Sequence, residues 1–184
     1  MKLSCHNLTR KFGDTTALNG VNLCLDEPKI YGLLGRNGAG KTTLLRLITN
    51  YIQPTEGSIT LDEQNVWENE KAQHQIFLVT ETSYFAEMNA NSLIQLMSEI
   101  YPSFDKEQFL SYAKRFELNL KKKYQTLSTG YKSVLRAVAA LSVHTPFLFL
   151  DEPTLGMDAF HRELFYKLLI ESYSESPSCN FRSA

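Results

Sequence analysis

The chain has 184 residues and a formal net charge of −1, because its 19 lysines and arginines nearly balance its 20 aspartates and glutamates. This length suffices for one domain with a sizeable core, and the balanced charge gives no electrostatic reason to expect a nucleic-acid partner. The sequence lacks the run of about 18 apolar residues that a membrane span requires, and its three cysteines and four histidines show no disulfide or zinc spacing, so we expect a cytoplasmic protein with reduced thiols.

The first elements predicted from the sequence are two strands, over residues 2 to 12 and 18 to 26. In the second strand, the apolar residues Val21 and Leu23 alternate with polar neighbours, which indicates one buried face. Phe12 lies where the first strand ends. An aromatic ring at a strand end can stack on a base, although a single ring of this kind more often belongs to the core.

The next stretch, residues 30 to 52, carries a phosphate-binding pattern. An apolar run leads into it, and a helical pattern of leucines and isoleucines leads out of it. Between the two, every fixed position of G-x-x-x-x-G-K-[ST] is matched, which predicts a strand, a phosphate loop and a helix. The predicted nucleotide-binding residues of this loop are Gly35, Arg36, Asn37, Gly38, Ala39, Gly40, Lys41, Thr42 and Thr43.

The residue types in this loop fit phosphate chemistry. Glycines allow a tight turn in which successive N–H groups and a helix N-terminus face one site, which suits phosphate oxygens. Lys41 adds a positive charge for the β- and γ-phosphates, the Thr42 hydroxyl is placed to ligate Mg²⁺, and Thr43 reaches a phosphate oxygen. The alternative is a glycine-rich turn that only caps a helix.

After this helix the sequence pattern changes character. Residues 58 to 62 and 75 to 79 are predicted as short strands. From about residue 83 the periodicity is helical, with Asn91 and Asp105 as predicted N-caps. We therefore predict a helical subdomain, at about residues 83–135, inserted into an α/β core.

A second predicted ligand site follows the helical part. Ser128 is a natural cap for a helix that begins in the sequence Leu-Ser-Thr-Gly-Tyr. The strand over residues 147 to 150 is entirely apolar, as buried parallel strands are, and it leads to Asp151 and Glu152. Ligands bind at the carboxyl edge of such sheets, where Asp151 can hold Mg²⁺ and Glu152 can polarise a water. The alternative is a solvated acidic pair that caps the next helix.

With these motifs in order, the chain resembles the nucleotide-binding domain of ABC-type ATPases over about residues 1 to 177. The resemblance implies an α/β fold: a P-loop NTPase core, with a mostly parallel sheet flanked by helices, an N-terminal antiparallel β part and the inserted helical lobe. It also implies roles in the site. These are adenine stacking by Phe12, Mg²⁺ association by Asp151, general-base action by Glu152 and a D-loop role for Asp158. Ser128, Thr129, Gly130 and Tyr131 form a signature motif that acts on the ATP bound to a second subunit.

Three positions depart from the usual pattern of this family. Thr129 stands where glycine is commonest and Tyr131 where glutamine is usual, which narrows the space around a γ-phosphate bound in trans. Glu81 stands where a glutamine usually faces Mg²⁺ and water, and its carboxylate can still ligate the metal. In these features the chain resembles bacterial exporters linked to resistance against antimicrobial peptides and antibiotics.

The resemblance implies the ATP-binding subunit of a bacterial ABC transporter. Such a subunit binds and hydrolyses MgATP in a head-to-tail dimer, homomeric or heteromeric, and drives a separate transmembrane permease from the inner face of the cell membrane. ATP and Mg²⁺ are the implied cofactors, and no nucleic acid is expected. The alternatives are a soluble ABC-type ATPase acting in DNA repair or on ribosomes, and a non-hydrolysing ATP-binding fragment.

The last predicted helix begins after Asp158, which is its expected cap. In the family, an apolar strand follows this helix and ends in a histidine that touches the γ-phosphate. No histidine follows His161 in this sequence. We therefore expect the switch-histidine strand and the C-terminal part to be missing and turnover to be doubtful. The missing strand is expected to leave a gap in the middle of the sheet, which residues 178 to 182 fill only poorly because Phe181 is their one strong apolar residue. The buried face of this helix is predicted to comprise Phe160, Leu164, Phe165, Leu168 and Leu169.

Overall fold

A computed structural model describes residues 1–27, 29–81, 85, 87–175 and 179–183, with 173–175 and 179–183 described through their backbone only. In chain order the strands and helices are β1 (Leu3–Phe12), β2 (Thr15–Leu25), β3 (Ile30–Leu33), α1 (Lys41–Ile48), β4 (Glu56–Leu61), β5 (Gln64–Asn65), α2 (Glu70–Gln73), β6 (Ile76–Val79), α3 (Ala90–Ile100), α4 (Lys106–Arg115), α5 (Thr129–Leu141), β7 (Phe147–Leu150), α6 (Ala159–Glu175) and β8 (Cys179–Ser183). A short 3-10 helix, Tyr124–Thr126, precedes α5.

The chain divides into two compact units. The first unit comprises Met1–Leu78, Pro146–Asp151 and Cys179–Ala184, and the second comprises Val79–Thr145 and Glu152–Ser178. No helix in the described ranges is both long and apolar enough to span a membrane.

The N-terminal part of the first unit is an antiparallel sheet, with the strand order β2-β1-β4-β5. On β2, Leu25 is buried while Asn22 and Cys24 are exposed, so the alternation predicted from the sequence is observed. Apolar side chains of this sheet pack with α1, in which Leu45 and Ile48 are fully buried. Burying one such side chain contributes about 1.5–3 kcal/mol. The antiparallel β part of the predicted fold is therefore confirmed.

The second sheet contains the strands that lead to the predicted ligand site, in the order β3-β8-β7-β6. β8 runs parallel to both neighbours, with Phe181 opposite Tyr31 on one side and Phe149 on the other. The expected gap in the middle of the sheet is therefore wrong, because residues 179–183 occupy that position. Parallel pairing is made by backbone groups, so a strand with few apolar residues can still fill it.

The second unit is mostly helical. Its longer segment is Val79–Thr145, whereas the helical subdomain predicted from the sequence covers about residues 83–135. Asp105 caps α4 as predicted, accepting a bond from the Gln108 N–H at 2.8 Å. The N-cap of α3 is Asn89, whose side chain accepts from the Ser92 N–H. The prediction of Asn91 as this cap is wrong because the helix begins two residues earlier than that cap requires, at Ala90.

The buried face of α6 is formed by Phe165, Leu168 and Leu169. Phe160, which was predicted to share this face, is 65% exposed. It lies five residues before Phe165, which places it about 140° around a helix of 3.6 residues per turn. The partly buried residue of the first turn is His161 instead.

Candidate functional site

The phosphate loop joins β3 to α1 in the first unit, and its lysine bonds to the loop itself. The Lys41 Nζ donates to the carbonyl oxygen of Gly35 at 2.6 Å and to that of Arg36 at 3.3 Å. Gly40 has a φ of 87°, and a Cβ there would lie 2.5 Å from the Ala17 carbonyl oxygen, so glycine is required. An ammonium group therefore lies beside the N-terminus of α1, which suits a phosphate group.

The Thr42 hydroxyl and the Asp151 carboxylate meet in the first unit, although 109 positions separate them in sequence. Thr42 Oγ1 donates to Asp151 Oδ2 at 2.6 Å, and Asp151 is 8% exposed at the end of β7. Both groups offer the oxygen ligands that Mg²⁺ prefers. Among the described residues, no group of three or more His, Cys, Asp or Glu could hold a metal.

Glu152 follows Asp151 and has an unusual backbone conformation. Its φ is 47°, and the residue is exposed. A non-glycine residue in the left-handed region costs about 1–2 kcal/mol, and such residues cluster at functional sites. The carbonyl oxygen of Glu152 accepts from the Leu155 N–H at 3.2 Å, which closes a tight turn. The chain therefore bends sharply after the buried aspartate and leaves the Glu152 carboxylate accessible.

The predicted signature forms the start of α5 in the second unit. Ser128 is its N-cap, and its Oγ accepts from the Tyr131 N–H at 3.3 Å. A Cβ on Gly130 would lie 2.5 Å from the Gly156 carbonyl oxygen, and a Cβ on Gly156 would lie 2.9 Å from Thr129 Cγ2. The structure thus brings the signature into direct contact with the loop that leads to Asp158.

Asp158 caps α6 as predicted and pairs with a residue one turn further along. Its Oδ1 accepts from the His161 N–H at 2.9 Å, and its Oδ2 lies 2.7 Å from His161 Nδ1. The backbone hydrogen bond from His161, followed by the side-chain bond, lowers the pKa of the exposed Asp158 carboxyl. The His161 ring lies parallel to that of Phe116 and edge-on to that of Tyr131, at 5.9 and 5.4 Å between centroids.

A buried polar network in the second unit was missed by the sequence predictions. Arg136, 3% exposed, donates through Nη1 to the Glu81 carbonyl oxygen and through Nη2 to Ser133 Oγ at 2.7 Å. Ser133 Oγ donates in turn to the Leu155 carbonyl oxygen at 2.7 Å. The backbone of the predicted metal ligand Glu81 is therefore fixed by α5. Its neighbour Thr82 lies outside the described residues. The signal in the sequence that could have indicated this network is Arg136, a charged residue among the apolar residues of α5.

Phe12 ends β1 and is 47% exposed. The guanidinium of Arg10 lies over its ring, with 4.6 Å between Cζ and the ring centroid. Arg10 was not predicted as a site residue. Because residues two apart on a strand share a face, the spacing of Arg10 and Phe12 is the signal that could have found the contact.

The motifs and the fold together define an ATP-binding cassette, and comparisons agree. A family model described as ABC transporter matches residues 18–155, three quarters of the chain, so the chain belongs to the ABC transporter family. The resemblance stated from the sequence is confirmed, as is the α/β P-loop fold.

Two relatives and one solved structure illustrate the similarity. The chain is 32% identical over 174 residues to the ABC transporter ATP-binding protein YtrB of Bacillus subtilis (strain 168), an alignment that covers 94% of this chain and 60% of the relative. It is 31% identical over 160 residues to the bacitracin transport ATP-binding protein BcrA of Enterococcus faecalis, covering 85% and 52%. A dimeric ATP-binding cassette in a post-hydrolysis state, bound to ADP and Pi, superimposes with a TM-score of 0.82 at 23% identity, covering 99% and 87%. The chain thus spans little more than half the length of the two curated relatives.

Proposed function

We propose that this chain binds MgATP through the loop of residues 35–43 together with Asp151. The observation that carries this proposal is the 2.6 Å bond between the Thr42 hydroxyl and the Asp151 carboxylate, next to a loop that holds the Lys41 ammonium at a helix N-terminus. When ATP binds, the Lys41 ammonium exchanges its hydrogen bonds to the Gly35 and Arg36 carbonyl oxygens for bonds to the β- and γ-phosphate oxygens. The phosphate oxygens are the stronger acceptors because they are charged. The other loop residues donate backbone N–H groups to the same oxygens.

Mg²⁺ fits the oxygen donors of this chain. Thr42 and Asp151 would hold the ion or its waters, and Glu81 is the further ligand that the family resemblance implies. The ion supplies charge neutralisation for the phosphates. Arg136 supports this role of Glu81, since its bond to the Glu81 carbonyl oxygen fixes the backbone on which the carboxylate is carried.

Hydrolysis is assigned to Glu152. Its exposed carboxylate follows directly on Asp151, so it can accept a proton from the attacking water while Asp151 remains with the metal. The left-handed backbone at Glu152 makes the chain turn directly after Asp151.

Transport requires partners beyond this chain. We assign Ser128, Thr129, Gly130 and Tyr131 to the ATP of a second ATP-binding subunit, and Asp158 to the same dimer contact. Family membership, and the dimeric state of the matching cassette structure, support this assignment. The dimer then drives a transmembrane permease from the inner face of the membrane, and the identity with a bacitracin transport protein supports a role in the transport of antibiotic-like compounds.

Nucleotide binding by a Lys41→Ala variant tests the proposal. A hydrogen bond to a charged group contributes about 1.5–3 kcal/mol, so we expect MgATP affinity in calorimetry to fall about 10- to 100-fold. Lys71→Ala removes an equal charge from an exposed position on α2 of the same unit and serves as the control. Wild-type affinity in the Lys41→Ala variant would show that the phosphates bind elsewhere.

A further inference from the structure

Arg10 and Phe12 form a cation–aromatic pair at the end of β1. The Arg10 Cζ lies 4.6 Å from the centroid of the Phe12 ring, which is within the distance at which a guanidinium is attracted to a ring face. The ring is 47% exposed. Because the guanidinium covers one face, the accessible area is left on the other face and the edge.

Arg10 is held in place by groups other than Phe12. Its Nη1 donates to the Gln53 carbonyl oxygen at 2.7 Å, and its Nε is buried with no hydrogen-bond partner among the described atoms. A buried N–H without a partner is unfavourable, so the position of the guanidinium is fixed at an energetic cost. This fixation points to a role for the contact with the ring.

The hydrogen bond from Arg10 to Gln53 links the end of β1 to the segment after α1. Gln53 lies in the segment between α1 and β4, and α1 begins at Lys41. The same segment is tied to β1 again, because the Thr55 N–H donates to the Thr9 carbonyl oxygen at 2.9 Å. The guanidinium over the Phe12 ring is therefore bonded to the segment that follows α1.

We propose that Arg10 is a positioning residue for the nucleotide base, a role that rests on the proposed binding of MgATP and on adenine stacking by Phe12, which the family resemblance implies. The cation draws the π-electron density of Phe12 toward itself and makes the opposite face less negative. A purine then stacks on that face with less repulsion between the two π systems. Holding the ring still before ATP arrives also reduces the entropy lost on binding.

The matched control separates this role from general electrostatics. Lys11 carries the same charge on the same strand, but it lies between the two residues of the pair and forms an ion pair with Glu56 at 3.5 Å. Successive residues of a strand point to opposite sides, so Lys11→Ala removes a charge without removing the ring contact. Tripolyphosphate with Mg²⁺ provides the ligand control, because it has the phosphates of ATP and no base.

Calorimetry of ATP and tripolyphosphate with six proteins tests the proposal: wild type, Arg10→Ala, Arg10→Lys, Lys11→Ala, Phe12→Ala and the double alanine variant of Arg10 and Phe12. We expect Arg10→Ala to weaken ATP binding about 3- to 10-fold and to leave tripolyphosphate binding within about twofold. The double variant should bind ATP no more weakly than Phe12→Ala alone, because both changes remove one shared contact. Arg10→Lys, which keeps the charge but not the planar group, should also weaken ATP binding.

Three results would each overturn the inference while leaving the proposed function intact. These are equal losses for ATP and tripolyphosphate in Arg10→Ala, a loss in Lys11→Ala as large as that in Arg10→Ala, and additive losses in the double variant. If the wild-type protein binds neither compound, the proposed function fails first, and the positioning role fails with it.

Discussion

Replacing Gly130 with alanine tests the contact between the signature and the loop that precedes Asp158. A Cβ on Gly130 would lie 2.5 Å from the Gly156 carbonyl oxygen, 3.3 Å from its carbonyl carbon and 3.7 Å from the Met157 Cα. Contacts below 3.0 Å are essentially never observed for real Cβ atoms. The opposing atoms belong to the backbone and cannot rotate away, so the variant has to displace the loop or the first turn of α5.

The expected size of the effect follows from two opposing contributions. Overpacking of this kind costs about 1–3 kcal/mol, while alanine favours a helix over glycine by about 1 kcal/mol. The difference leaves a net loss of about 1 kcal/mol in the free energy of unfolding. For a chain of this size, a loss of 1 kcal/mol corresponds to a Tm lower by about 2–4 °C.

Thermal unfolding and ATPase rates measure the two consequences of Gly130→Ala. Gly32→Ala is the matched control, because a Cβ there meets no described atom within 4 Å. We expect Gly130→Ala to melt below Gly32→Ala and to lose ATPase activity at least about tenfold, since a displaced signature cannot close on ATP bound in trans. A Tm and a turnover rate for Gly130→Ala equal to those of Gly32→Ala would refute the contact and its role.

Two further predictions address the site and the core. Glu152→Gln should retain ATP binding and accumulate as a dimer in size-exclusion chromatography with MgATP, because it removes the proposed base and a negative charge. The control Glu163→Gln, at an exposed position on α6, should behave as wild type. A Glu152→Gln protein that stays monomeric would contradict the assignment of the base. Burial raises the pKa of the Cys5 thiol to about 12, whereas Cys24 is exposed, so iodoacetamide at about pH 8 should modify Cys24 in the native protein and Cys5 only in denaturant. Equal native labelling of the two cysteines, measured by peptide mass mapping, would contradict the packing of β1.

The parts of the site that were predictable from the sequence depend on local backbone requirements. The loop before Lys41 needs glycine at Gly40 because of a positive φ and a close backbone neighbour, and such requirements leave a fixed spacing in the sequence. The meeting of Thr42 with Asp151 was predictable for a topological reason, since both follow strands whose carboxyl ends share one edge of a sheet.

The features that escaped prediction depend on contacts between distant segments. Arg136 bonds to the Glu81 carbonyl oxygen, and a bond to a backbone carbonyl places no demand on the residue type of its partner. β8 fills the middle of its sheet through backbone pairing with β3 and β7, which its composition does not reveal. The exposure of Phe160 depends on the rotation of α6 about its axis, which is fixed by the residues that pack deepest.

The departures of the signature from its family pattern have a local explanation in the second unit. The Tyr131 ring lies edge-on to His161, and His161 Nδ1 lies 2.7 Å from the Asp158 carboxylate. A glutamine at position 131 has no ring to make this contact, and a glycine at position 129 would leave Gly156 without the Thr129 methyl group beside it. Tyr131 and Thr129 therefore pack beside the loop that carries Asp158 and beside the partner of its carboxylate. Restoring either family residue alone removes packing around that loop, so the signature and the D-loop have to be treated as one packed unit when variants are designed.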